Sequence, residues 1–254
     1  MKKLFLLLMM INFLNTHAQL KVVEYADGDQ KLEGFLATPK KLNANKGSVL
    51  LLPAWMGIDN NAKENATELA KLGYTTFVAD IYGIDKRPAT TADAGKIAGS
   101  FKKDYILYQK RIQLALDQLL KADINPDKIA VIGYCFGGTG ALEAARSNMK
   151  VSGVVSFHGG LGRDESRVIA PMMAKVLVLH GADDFYVPEA DIKALQNELR
   201  TAKVDWQMVY YANAVHAFTH KDAGNDNSKG AAYNEKAAKR SWIAMRNFFD
   251  EIFK

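Results

Sequence analysis

Apolar positions along this chain fall into two alternating patterns. Short, largely apolar runs at Ser48–Leu52, Tyr74–Ala79, Ile129–Ile132, Val151–Phe157, Val176–Leu179 and Trp206–Tyr211 have the length of strands. The continuous run Ser48–Leu52 is of the kind buried on both faces. Between these runs, helical spacing predicts amphipathic helices over Asn60–Leu72, with Gly73 as the stop, over Thr139–Ser147 and Glu189–Thr201, and from about Ala231 to Phe253. One long helix is expected after the Gly-, Pro- and charge-rich loop from Asp80 to about Thr91. It is clearest from Tyr105 to Leu120, where Ile112, Leu116, Leu119 and Leu120 form a stripe. Upstream, Val22–Tyr25 and Leu32–Ala37 flank the turn-rich Ala26-Asp27-Gly28-Asp29 and predict an antiparallel hairpin. Strands alternating with helices define the α/β class, with a mostly parallel central sheet covered by helices on both faces. No linker, repeat or compositional break divides the chain, so residues 19–254 are read as one domain. Trp242, Phe248, Phe249 and Phe253 recur at helical spacing and are assigned to core packing.

The first residues follow a different pattern. Met1-Lys2-Lys3 is basic, Leu4–Leu14 is apolar but too short for a membrane span, and Thr16-His17-Ala18 is a small-x-small site. Residues 1–18 therefore read as a signal peptide of bacterial type, with a periplasmic or secreted product and no membrane attachment after cleavage. Its removal takes away Lys2 and Lys3 and lowers the formal charge from +5 to +3. The remaining lysines and arginines are interleaved with acids, as in Lys63-Glu64 and Glu235-Lys236. That pattern argues against a nucleic-acid footprint. The oligomeric state is not legible.

Charge and composition leave the chemistry open; one cysteine narrows it. Cys135 is the only cysteine, so it has no internal disulfide partner in a compartment that permits disulfides. It lies in Gly133-Tyr134-Cys135-Phe136-Gly137-Gly138, immediately after a strand and before a helix. A Gly-x-nucleophile-x-Gly turn in that context projects the central side chain into a cleft. Ligands of parallel sheets bind beyond the carboxyl ends of strands, so residues following the other strands are the expected partners. After Val176–Leu179 come the adjacent Asp183 and Asp184, and after Trp206–Tyr211 comes His216. Nucleophile, acid and base then occur in the chain order of α/β-hydrolases. The chemistry requires these types: a histidine to take the thiol proton, and a carboxylate to orient the resulting imidazolium. The backbone N–H groups of Phe136 and Trp55 are the expected oxyanion donors. His158 and His180 end strands and read as packed or hydrogen-bonded residues. No ligand spacing indicates a metal, and the elbow lacks the lysine and Ser/Thr of a phosphate loop, so no cofactor is expected.

Together these motifs resemble the dienelactone hydrolase family, from about Leu32 to the C-terminus. Gly133–Gly138, Asp184–Pro188 and His216-Ala217-Phe218 carry the resemblance, and Ala79-Asp80-Ile81-Tyr82-Gly83 is similar to a further family signature. The resemblance implies an α/β-hydrolase fold, a Cys135–His216–Asp184 triad and small lactone or ester substrates. Its Asp-x-x-Val-Pro spacing selects Asp184 over Asp183. The chain departs from the family at Ala54, where members that open dienelactone carry an acid that holds the resting thiol. It also lacks the family's carboxylate-binding arginines: Ile84 follows Tyr82-Gly83, and Thr219-His220-Lys221 follows Phe218. Arg87 and Lys221 are the nearest candidates to replace them. Trp55, Tyr82 and Tyr134 are expected to line the substrate pocket. The resulting expectation is a cysteine-dependent hydrolase of carboxylic esters or lactones; the alternative is a hydrolase-fold binding or scaffold protein with a vestigial triad.

Overall fold

The computed structural model describes residues 19–41 and 46–254. The expected signal segment, residues 1–18, lies outside the described residues.

Eight strands form one sheet in the order β1-β2-β4-β3-β5-β6-β7-β8. The hairpin of β1 (Gln19–Asp27) and β2 (Gln30–Thr38) joins the sheet antiparallel to β4 (Thr75–Val78). The remaining pairs, through β3 (Ser48–Leu52), β5 (Ile129–Tyr134), β6 (Gly153–Phe157), β7 (Lys175–Gly181) and β8 (Trp206–Tyr211), are parallel. Helices α1 (Asn60–Lys71) and α6 (Glu235–Ile252) cover one face. The other is covered by α2 (Thr91–Lys103), α3 (Tyr105–Leu119), α4 (Phe136–Arg146) and α5 (Glu189–Thr201).

Two cores explain the continuous apolar strands. Leu50, Leu52, Val131, Val154 and Val178 enter the α2–α5 core, while their neighbours Val49, Leu51, Ile132, Val155 and Leu177 enter the α1/α6 core. Successive strand residues point to opposite faces, and here both faces are dry.

The largest departures from the expected elements lie in two helices. The long helix is two helices broken at Asp104, whose backbone leaves helical geometry (ψ 69°) and whose carboxylate accepts from Leu107 N–H at 3.0 Å. Capping the second helix offsets the break, because Asp satisfies an orphan N–H of the first turn. Likewise α6 starts at Glu235 rather than Ala231. Asn234 caps it, and Ala231 and Ala232 instead pair with the backbone of His216.

Candidate active site

The site is assembled at the carboxyl ends of β5, β7 and β8. Strand β5 runs through Tyr134, and the chain turns directly into α4 at Cys135, which adopts φ 54° and ψ −113°. That conformation is costly for a residue with a Cβ, and its surroundings hold it there. A Cβ on Gly133 would lie 1.9 Å from the Gly137 carbonyl oxygen, and one on Gly137 would lie 2.2 Å from Leu52 O. The turn is thus closed by backbone-to-backbone contact that only glycine permits.

Cys135 Sγ lies 3.0 Å from His216 Nε2, and His216 Nδ1 lies 2.8 Å from Asp184 Oδ2. The other Asp184 oxygen accepts from Tyr186 N–H at 3.1 Å. Asp184 is buried, whereas its neighbour Asp183 is exposed and uses its N–H to bind the Ala214 carbonyl, tying the acid loop to the histidine loop. The histidine loop is held from its other side by His216 N–H to Gly230 O and by Ala232 N–H to His216 O, both 3.1 Å.

The electrostatics favour a charge-separated pair. Burial alone would lower the pKa of His216, but hydrogen bonds to Asp184 and Cys135 outweigh it and push the value up to about 10. Burial likewise opposes ionisation of Cys135. His216, the Lys102 charge and the Phe136 N–H overcome that cost and hold the thiol below its ordinary range.

Other expected residues separate into two groups. Phe136 starts α4 and stacks on Tyr108 with ring centroids 4.5 Å apart. Trp55 is partly exposed in the loop after β3, and its carbonyl accepts from the Tyr82 hydroxyl at 2.9 Å. Tyr82 N–H is bound in turn by buried Asp80. Tyr82→Phe removes this hold on the Trp55 loop. We expect kcat on p-nitrophenyl esters to fall about tenfold with a smaller change in KM, as measured by steady-state kinetics.

Tyr134 departs from expectation. As the strand neighbour of Cys135 it points to the opposite face, stacks on Phe157 at 4.6 Å, and lines a groove of about 640 Å³ beside α6. Lys221 lines that same groove. Arg87 is committed to Glu33 and Asp80 at 3.2 and 3.1 Å. Arg87 is therefore not a free cation, and Lys221 lies on the Tyr134 side of the sheet rather than the Cys135 side.

His158 is fully buried, with its Nε2 2.8 Å from Thr219 Oγ1 and its ring edge-on to His216 at 5.4 Å. Burial holds its pKa well below the ordinary histidine value, so it packs against the imidazolium without adding charge. His180 is buried against Tyr210. His220 pairs with Asp59, the cap of α1, at 3.3 Å. Sequence reasoning did not single out Tyr186 as a neighbour of the triad. Its ring stands edge-on to His216 at 5.7 Å, and its only signal was a place two residues after Asp184. Lys102 carried no signal, because its approach to Cys135 depends on how α2 packs.

A mostly parallel eight-stranded sheet, with a strained turn after β5 leading into a buried helix, is the fold of the α/β-hydrolases. The sequence profile of the dienelactone hydrolase family matches residues 32–253, and the chain belongs to that family. It is therefore a hydrolase of ester bonds. It is 24% identical to a candidate carboxymethylenebutenolidase of Aquifex aeolicus over 92% of this chain and 99% of that one. A candidate 2-oxo-3-(5-oxofuran-2-ylidene)propanoate lactonase of Bradyrhizobium is 27% identical over 85% of this chain and 87% of its own. Among solved structures, a dienelactone hydrolase-like promiscuous phosphotriesterase from metagenomic libraries superposes with a TM-score of 0.87. It is 36% identical, over 94% of this chain and 100% of that one.

Proposed function

We propose that this protein hydrolyses small carboxylic esters or lactones through an acyl-enzyme on Cys135. The observation that carries the reading is the continuous chain Cys135–His216–Asp184, at 3.0 and 2.8 Å. The thiolate attacks the carbonyl carbon, and the oxyanion is received by the N–H groups of Phe136 and Trp55. His216 then gives its proton to the departing alkoxide as the C–O bond breaks, leaving a thioester. A water molecule, deprotonated by His216, attacks the thioester, and the acid product leaves as the thiolate re-forms. Asp184 orients the His216 ring throughout and balances its charge whenever it is protonated. Ala54 leaves no carboxylate at the position where family members hold the resting thiol, so His216 is the partner that keeps sulfur ionised between turnovers.

The similarity to a phosphotriesterase supports a second substrate class. Phosphorus would occupy the place of the carbonyl carbon, an S–P bond forming as the P–O bond to the leaving group breaks. Residues 1–18 support export with cleavage after Ala18; sequencing the N-terminus of the secreted product should then begin at Gln19.

The test is a pre-steady-state assay with p-nitrophenyl butyrate and paraoxon. We expect a burst of p-nitrophenolate and a mass increment confined to the Cys135 peptide. The pH profile of kcat/KM supplies a second readout. Protonation of Cys135 sets the acid limb, which should lie below the ordinary thiol range. Loss of the His216 proton sets the basic limb, near pH 10. No burst, together with ordinary thiol titration by an electrophilic label, would favour the vestigial-triad scaffold instead.

A further inference from the structure

One buried histidine that the chemistry leaves unused stands where the catalytic loops join. His158 follows β6, and the carbonyl of Phe157 just before it accepts from the Cys135 N–H at 3.0 Å. The N–H of His158 itself bonds the Leu179 carbonyl of β7 at 2.9 Å. Its ring meets the histidine loop at three points. Ring centroids are 5.4 Å from His216 and 5.1 Å from Phe218, and Nε2 is 2.8 Å from Thr219 Oγ1. The same short segment therefore touches the nucleophile turn, the strand that leads to the acid and the loop that carries the base.

That loop needs a hold. Ala217, directly after the base, has φ 57°, a left-handed conformation that is costly for a residue with a Cβ. His158 has φ 38°, so both sides of the contact are strained. Such strain persists only where surrounding contacts over-determine it. Packing alone does not account for a histidine here. The side chain is fully buried, and its Nδ1 has no hydrogen-bond partner among the described residues. A hydrocarbon would fill the space beside Tyr134, Phe218 and His216 without that desolvation cost. It could not supply the bond to Thr219. Burial keeps the His158 ring neutral, so it holds the loop without repelling the imidazolium.

We propose that His158 is a positioning residue, which keeps His216 within hydrogen-bond distance of Cys135 through its bond to Thr219. This role rests on the reading of Cys135 as nucleophile and His216 as base. Thr219 lies three residues beyond the base, so its bond fixes where the imidazole stands relative to sulfur. Loosening it weakens proton transfer and the hold of His216 on the thiolate. Substrate contacts are left in place, so the loss falls on kcat rather than KM.

The test uses Thr219→Val, His158→Phe, the double variant and His158→Gln in the full-length protein. Thr219 is half-buried and valine matches its shape, so Thr219→Val should leave Tm unchanged. We expect kcat on p-nitrophenyl butyrate to fall about tenfold in each of the first two, with KM changed less than about twofold. The double variant should lose no more than the weaker single one, because both substitutions break one bond. His158→Gln, with an amide in place of the ring nitrogen, should keep at least about a third of wild-type kcat. Alkylation of Cys135 by iodoacetamide across pH reads the pair directly. Its titration should move up by about one pH unit in Thr219→Val and His158→Phe. The other groups that bear on the pair, Asp184, Lys102, Tyr82 and Tyr108, are the same in every variant, as are His180 and His220 near His158. A merely structural role would lower Tm or the active fraction without moving that titration. An unmoved titration in both single variants, or losses that multiply in the double variant, overturns the proposal. Wild-type protein whose Cys135 titrates as an ordinary thiol and gives no burst overturns the nucleophile assignment and the positioning role with it.

Discussion

Cys135→Ala should lower kcat/KM for p-nitrophenyl butyrate by on the order of 10⁴-fold or more. Such a loss corresponds to roughly 5.5 kcal/mol of transition-state stabilisation. The size follows from what remains: without sulfur, His216 can only activate water directly, and the N–H donors can only polarise the carbonyl. Alanine keeps the Cβ, so it meets the same positive φ as cysteine and adds no new backbone strain. A fall in activity with an unchanged circular dichroism spectrum and Tm would therefore report chemistry rather than folding. A folded Cys135→Ala protein with wild-type turnover would mean that the thiol is not the nucleophile.

Gly133→Ala should have the largest effect on stability. The added methyl would lie 1.9 Å from Gly137 O, 2.1 Å from its carbonyl carbon and 2.8 Å from Gly138 N. All three are backbone atoms, so no side chain can swing aside; either β5 or the start of α4 must move. We expect a loss of about 3 kcal/mol or more. At this chain length each kcal/mol lowers Tm by about 2–4 °C, so thermal unfolding should shift by about 6–12 °C. Activity should fall further than stability does, because the same movement carries Cys135 away from His216. Gly99→Ala is the contrast. Gly99 lies within α2, and a methyl added there would meet nothing within 4 Å, so alanine should stabilise by about 0.5–1 kcal/mol. If Gly133→Ala matched Gly99→Ala in thermal unfolding, the close approach at the elbow would be disproved.

Both expectations concern residues that were visible in the sequence, and the reason is local. A strand, a glycine-framed turn and a helix are consecutive in the chain, so their geometry is written in about a dozen neighbouring residues. Alternation is legible too, and it places Tyr134 away from the pocket expected for it. Two residues after Ile132 on one strand, Tyr134 shares its face, which is the α1/α6 side. The break at Asp104 was harder to see, because the apolar stripe continues through it and only the cap shows where one helix stops.

Partners distant in sequence were legible as types and order, but not as contacts. Cys135, Asp184 and His216 follow strands that the parallel sheet must bring to one edge, so the chain itself determined which three residues could meet. The tertiary structure decided that they stand at 3.0 and 2.8 Å, because that depends on Asp183 N–H joining the acid loop to the histidine loop and on Gly230 O and Ala232 N–H holding the histidine loop from its other side. It also decided the electrostatic surroundings. Arg87, near a family motif in sequence, is paired with Glu33 and Asp80, and Lys221 lines the groove beside α6, while the packing of α2 lets the charge of Lys102 act on Cys135. A side chain's chemistry is carried by its residue type, but its charge acts through distance and burial, and those exist only once the helices have packed on the sheet.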